Sequence, residues 1–106
     1  MQKTGKLELT WVGKCDDKIV EPRILMEDVD KSYGDPSSEN MLIHGDNLIA
    51  LKALQQDFAG RIKCIYIDPP FNTGQAFENY DDNLEISIWL NLMHKRIELL
   101  HELLSD

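Results

Sequence analysis

The chain has 106 residues, of which 42% are hydrophobic and 28% charged, a size and composition typical of one small globular domain. No apolar run approaches the roughly 18 residues of a membrane span, and no apolar segment typical of a secretory signal follows Met1. Two cysteines far apart in the sequence, Cys15 and Cys64, indicate reduced thiols in a cytoplasmic protein. We predict no metal site.

The charge is unevenly distributed along the chain. A net charge of −8 argues against binding nucleic acid through the overall field of the protein. Residues 1–40 carry six basic and nine acidic side chains, and residues 75–106 carry two basic and seven acidic ones. Residues 41–74 carry three basic and three acidic side chains. The middle segment is therefore electrically neutral, and any role on nucleic acid needs basic groups from elsewhere.

Residues 1–40 form a loop-rich N-terminal arm in our prediction. Partial alternation of apolar residues over 5–12 indicates one candidate short strand. The rest of the arm is polar and is punctuated by glycine and proline, which favour turns over regular elements.

Residues 41–67 are predicted to form a strand, a helix and a second strand. Residues 41–44 are a short apolar run, and Gly45 breaks it. Asp46 or Asn47 then caps a helix with leucines at three-residue steps, and Gly60 suits its left-handed end. Residues 62–67 are apolar on both faces, as in a buried parallel strand. Together these elements predict a βαβ unit.

A second, longer helix is predicted from residue 84 to residue 104. Its apolar positions recur at helical spacing, and Trp89 and Met93 among them are predicted to be core residues. Asp82 and Glu85 resemble a capping box at its start. The fold class is therefore α/β, with a βαβ unit plus a long C-terminal helix and an incomplete sheet.

The motif Asp68-Pro69-Pro70-Phe71 directly follows the second predicted strand, where open α/β sheets place their ligands. The Asp68 carboxylate is a hydrogen-bond acceptor, and the two prolines stiffen the loop and remove two N–H donors. The Pro69 carbonyl becomes a second acceptor, and Phe71 offers a flat apolar face. Two acceptors beside an aromatic ring suit the exocyclic amino group of a planar base.

Residues 42–48 and 65–74, taken together, resemble the modification (Mod) subunits of type III restriction-modification systems. The N-terminal Lys6–Trp11 segment and the helix containing Trp89, Met93 and Arg96 are also similar to that family. The resemblance implies a circularly permuted DNA methyltransferase that transfers a methyl group from S-adenosylmethionine to adenine N6. It also implies a partial Rossmann-like methyltransferase fold, in which residues 41–106 are the N-terminal part of the catalytic domain.

The resemblance assigns roles to individual residues. It implies that Asp68, Pro69, Pro70 and Phe71 hold the adenine after it leaves the duplex, with phenylalanine standing where the family usually has tyrosine. Gly45, Asp46 and Asn47 resemble the family segment near the adenosyl end of the cofactor, where Asp46 would accept a hydrogen bond from the adenine amino group. A plain helix cap is the alternative role for Asp46, and one side chain could serve both.

The family's Phe-x-Gly-x-Gly cofactor loop is absent from these 106 residues, as is its target-recognition domain. We therefore expect a fragment that is inactive alone and reaches DNA through other segments. A restriction subunit and a second methyltransferase subunit are the expected partners, with no membrane contact.

Three alternatives stay open from the sequence. An RNA guanine-N2 methyltransferase fragment has a similar Pro-Pro-aromatic loop, but such enzymes generally place the glycine-rich motif upstream. A DNA cytosine-N4 methyltransferase fragment more often has serine at the position of Asp68. The third is a non-catalytic remnant or interaction module that exposes an unfinished sheet edge and the long helix.

Overall fold

The computed structural model describes residues 5–16, 19–70 and 82–106, with the side chains of the last segment described from residue 86 onward. Helix α1 spans Asn47–Phe58 and helix α2 spans Asp82–Leu103, preceded in the chain by a short 3-10 turn at Val29–Lys31. No helix in these ranges has the length and apolar character needed to cross a membrane.

Helix α1 begins and ends where local chemistry predicts. The Asp46 carboxylate accepts the backbone N–H of Leu48 at 2.8 Å, which satisfies one of the unpaired donors at the first turn. The chain leaves the helix through Ala59 into Gly60, whose φ of 68° is a left-handed conformation that costs a non-glycine residue energy. Both the capping role of Asp46 and the glycine terminus are confirmed.

Helix α2 packs against α1. The predicted range of 84–104 is confirmed to within two residues at its start and one at its end. Ala53 of α1 and Met93 and Leu103 of α2 are the buried apolar side chains among the described residues. The core prediction is confirmed for Met93, whereas Trp89 is only half-buried. The capping box falls on Asp82 and Glu85, whose side chains lie outside the described set.

The end of α2 is tied to the segment that follows α1. Backbone N–H groups of Gly60 and Ile62 donate to the Glu102 and Leu103 carbonyls at 2.9 Å each, and Ser105 donates to the Ile62 carbonyl at 2.8 Å. These bonds place Ile62 and Leu104 in an isolated parallel bridge. The chain leaving α2 therefore runs beside residue 62 in the direction that a parallel sheet requires.

The strands predicted at 5–12, 41–44 and 62–67 are not formed in the described part of the chain, so the predicted βαβ unit is not shown. These segments have no ladder beyond the single bridge, and Leu42 and Tyr66 are 100% and 92% exposed. The physical reason is that a strand is stabilised by hydrogen bonds and side-chain pairs with a neighbouring strand, which apolar pattern alone does not supply.

The N-terminal arm is anchored on α2, which the sequence did not predict. The Trp11 indole N–H donates to Asn91 Oδ1 at 2.8 Å, and Asn91 Nδ2 donates to the Val12 carbonyl at 3.1 Å. The Trp11 ring also meets His94 edge-on at 5.3 Å. Gly13 has a φ of 85°, and a Cβ there would lie 2.6 Å from Asn91 Nδ2, so this contact requires glycine.

The two cysteines, Cys15 and Cys64, are exposed and not joined in a disulfide.

Candidate active site

The two acceptors predicted from the sequence, the Asp68 carboxylate and the Pro69 carbonyl, lie in the Asp-Pro-Pro loop. Asp68 is exposed, and no ion pair or hydrogen bond with another described residue occupies its carboxylate. Pro69 is half-buried, and its carbonyl is likewise unused within the described segments. Because neither proline has an N–H, this stretch presents acceptors and no backbone donors after Asp68. Phe71, the predicted stacking residue, lies outside the described residues.

The loop is fixed to α2 at its second proline. The indole N–H of Trp89 donates a hydrogen bond to the Pro70 carbonyl. The resemblance includes Pro70 among the residues that hold the adenine, and this contact occupies the Pro70 carbonyl. It leaves the Asp68 carboxylate and the Pro69 carbonyl without a partner among the described residues.

The Gly45–Asn47 corner is the second predicted part of the site. Gly45 has a φ of 151°, outside the conformations that other residues readily adopt, so glycine sets the bend into α1. Asp46 Oδ1 accepts the Leu48 N–H and lies 3.6 Å from a guanidinium nitrogen of Arg96. Asp46 Oδ2 has no described partner, so the carboxylate caps the helix and still offers an acceptor.

Arg96 of α2 is bonded both to this corner and to its own helix. Its Nε donates to Asn47 Oδ1 at 2.6 Å, and a terminal nitrogen donates to the Leu92 carbonyl of its own helix at 3.0 Å. The Arg96 side chain is 20% exposed, whereas that of Asp46 is 57% exposed. The Arg96 side chain is thus mostly buried, whereas the Asp46 side chain is mostly exposed to solvent.

A groove of about 270 Å³ opens beside the corner. Its walls come from three segments: the corner itself with the residues just before it, the first half of α1, and arm residues 23–25. Among the lining residues are Arg23, Leu25, Ile43, Asp46, Ile49 and Ala53. The walls are mainly apolar with few polar groups, as expected of small-molecule sites. The contribution of the arm was not predicted.

The loop and the corner are separate in this arrangement. Asp68 does not line the groove, and no described hydrogen bond joins the loop to the corner directly. Each is attached instead to α2, through Trp89 and Arg96. The sequence held a signal for these two residues, since an N–H donor and a cation lie seven positions apart on an otherwise apolar helix face. No group of His, Cys, Asp and Glu suited to a metal occurs within the described ranges.

Comparison with known proteins agrees with the resemblance to DNA methyltransferases. Residues 62–106 match the DNA methylase family. The HindVI Mod subunit of Haemophilus influenzae, named as a probable type III restriction-modification enzyme, is 48% identical over 75 residues. That match covers 71% of this chain and 10% of the relative.

Two other relatives extend the comparison. The type III restriction-modification enzyme EcoP15I Mod subunit of Escherichia coli is 37% identical over 82 residues, covering 71% of this chain and 13% of the relative. The type II methyltransferase M.EcaI of Enterobacter cloacae is 31% identical over 115 residues, covering 96% of this chain and 25% of the relative.

No solved structure matches the chain significantly. The chain spans about a tenth of the length of the Mod subunits that it matches. By its sequence, this chain is similar to the DNA methylase family over residues 62–106 and to the type III Mod subunits over 71% of its length.

Proposed function

We propose that this chain supplies the target-base loop and one wall of the cofactor site in a DNA methyltransferase that modifies adenine N6 within a restriction-modification system. The observation that carries the proposal is the exposed, unpaired Asp68 carboxylate beside the unused Pro69 carbonyl. The relatives named as Mod subunits and methyltransferases support it. DNA, a restriction subunit and a second methyltransferase subunit are the proposed partners.

The loop acts by accepting hydrogen bonds from both N–H groups of the exocyclic amino group. Asp68 accepts one N–H and the Pro69 carbonyl the other, which favours a tetrahedral nitrogen whose lone pair points away from the loop. The two acceptors stabilise the positive charge that develops on this nitrogen during transfer, and the rigid prolines hold them in place. Asp68 therefore orients and polarises the amine without removing a proton beforehand, and the methylated nitrogen would release one of its two protons to solvent after the transfer.

The target base must leave the duplex to reach this loop, at a cost of about a few kcal/mol. Phe71, by its place in the sequence next to Pro70, is proposed to offset part of that cost by stacking on the base. A phenylalanine keeps the aromatic face of the tyrosine that the family usually has at this position.

The corner fits the adenosyl end of S-adenosylmethionine. Asp46 keeps one carboxylate oxygen without a described partner at the edge of the mainly apolar groove, which suits the amino group of an adenine ring. Gly45 and Asn47 shape the rim of the same corner. When bound, S-adenosylmethionine supplies an electrophilic methyl carbon, and its sulfur keeps the electron pair as the methyl group leaves.

The test is the product formed by a chimera in which this chain replaces the matching segment of the HindVI Mod subunit, here called the Mod chimera. We expect the Mod chimera to form N6-methyladenine in duplex DNA that carries the HindVI site, as measured by nucleoside mass spectrometry. The native HindVI Mod subunit is the positive control. A folded chimera that forms N4-methylcytosine, methylates RNA guanine, or transfers no methyl group would contradict the proposal.

A further inference from the structure

Helix α2 has two faces with different contacts. Trp89, Met93 and Arg96 fall on one face, because seven residues make about two turns of an α-helix. Asn91 and His94 fall on the opposite face, where they contact Trp11 of the arm. The first face therefore contacts the two parts of the candidate site and the core, and the second face binds the arm.

Both polar residues of the first face bind the backbone or side chains of the site. Trp89 donates to the Pro70 carbonyl, and Arg96 donates to Asn47 Oδ1 at 2.6 Å and pairs with Asp46 at 3.6 Å. Met93 between them is buried at 8% exposure, and α2 packs against α1, which fixes the helix between the two attachments. Along α2 these attachment points are about 10 Å apart.

We infer that α2 is a spacer that sets the position of the base loop relative to the cofactor corner, with Trp89 and Arg96 as its positioning residues. This inference rests on the proposed function, because it assigns the loop to the base and the corner to the cofactor. Methyl transfer requires the amine nitrogen and the methyl carbon to meet in line, and small displacements of either site reduce the rate sharply. A rigid helix that holds both loops supplies that alignment.

Two variants separate the two attachments. Trp89→Phe keeps an aromatic side chain of smaller size and removes the indole N–H that binds Pro70. Arg96→Met keeps the aliphatic stem and removes the donors to the corner. Trp11→Phe and Lys95→Met are the matched controls, since the first removes an indole N–H on the opposite face and the second removes a neighbouring cation with no described partner.

The variants are compared in the Mod chimera by two measurements. Base capture is measured as the increase in fluorescence of a duplex that has 2-aminopurine at the target position. Cofactor affinity is measured as the Kd of S-adenosylhomocysteine by titration calorimetry. Trp89→Phe should weaken base capture about tenfold, the effect of one hydrogen bond, and leave the cofactor Kd unchanged. Arg96→Met should raise the cofactor Kd about tenfold and leave base capture unchanged at saturating cofactor. Neither control should change either measurement.

Two results would overturn the spacer role. One is that both variants leave both measurements unchanged while the unmodified chimera is active. The other is that each variant reduces base capture and cofactor affinity alike together with a lower Tm, which is what a merely structural role produces. An unmodified chimera that binds no cofactor and transfers no methyl group overturns the proposed function instead, so the two failures are distinguishable.

Discussion

Replacing Asp68 with alanine is expected to lower kcat for methyl transfer in the Mod chimera by about 10²–10³-fold, the usual effect of removing one group that stabilises developing charge. The stability of the protein should not change, because Asp68 is exposed and none of the described residues binds its carboxylate. The cofactor Kd should also stay constant, since Asp68 does not line the groove. Turnover is measured with tritiated S-adenosylmethionine, and stability is measured as Tm.

Two further variants sharpen the Asp68 experiment. Asp68→Asn keeps one acceptor oxygen, so its kcat should fall less than that of the alanine variant. Asp57→Ala removes an exposed carboxylate with no described side-chain partner near the end of α1, and it should keep the unmodified turnover. If Asp68→Ala kept wild-type kcat, the carboxylate would have no role in polarising the amine.

Replacing Asp46 affects both folding and cofactor binding, and two substitutions separate the effects. Asp46→Ala removes the cap of α1 and should lower the free energy of unfolding by about 1 kcal/mol. Asparagine caps a helix about as well as aspartate, so Asp46→Asn should keep most of that stability. Both lose the anion, and hydrogen bonds to charged groups are about twice as strong as neutral ones. We therefore expect a cofactor Kd raised at least tenfold for alanine and several-fold for asparagine.

The two quantities come from independent measurements on the Mod chimera. Urea denaturation gives the free energy of unfolding, and titration with S-adenosylhomocysteine gives the Kd. Asp57→Asn serves as the matched control, because it removes one carboxylate elsewhere on the helix. A cofactor Kd that is unchanged in both Asp46 variants would reduce the role of Asp46 to helix capping.

The helices were predictable because their signals are local. The leucine spacing of α1, its cap at Asp46 and its glycine terminus all act within a few residues, and the apolar stripe of α2 sets its length in the same way. The predicted strands failed because pairing depends on neighbours distant in the sequence. Residues 62–67 have an apolar pattern but only one bridge, at Ile62, among the described residues.

The candidate site was partly predictable for the same reason. The residue types at Asp68, Pro69 and Asp46 reveal acceptors and a cap without any knowledge of the fold. The residue types of Trp89 and Arg96 mark them on the apolar face of α2, but their partners could not be predicted. These contacts depend on how α2 is oriented against residues 19 and 49 positions away. The hydrogen bond from Trp11 to Asn91 of α2 joins residues 80 positions apart, and it was not predicted for the same reason. The stacking role of Phe71 stays a prediction.

The role of Asp68 in binding the target base is tested most directly by the energetic coupling between its carboxylate and the amino group of that base. The Mod chimera and its Asp68→Ala variant are each titrated with a duplex that has adenine at the target position and with one that has purine, which lacks the amine. Purine pairs more weakly in the duplex, but that difference is the same for both proteins and cancels in the ratio. We predict that the preference for adenine over purine falls about tenfold or more in the variant. An identical preference in both proteins would contradict it.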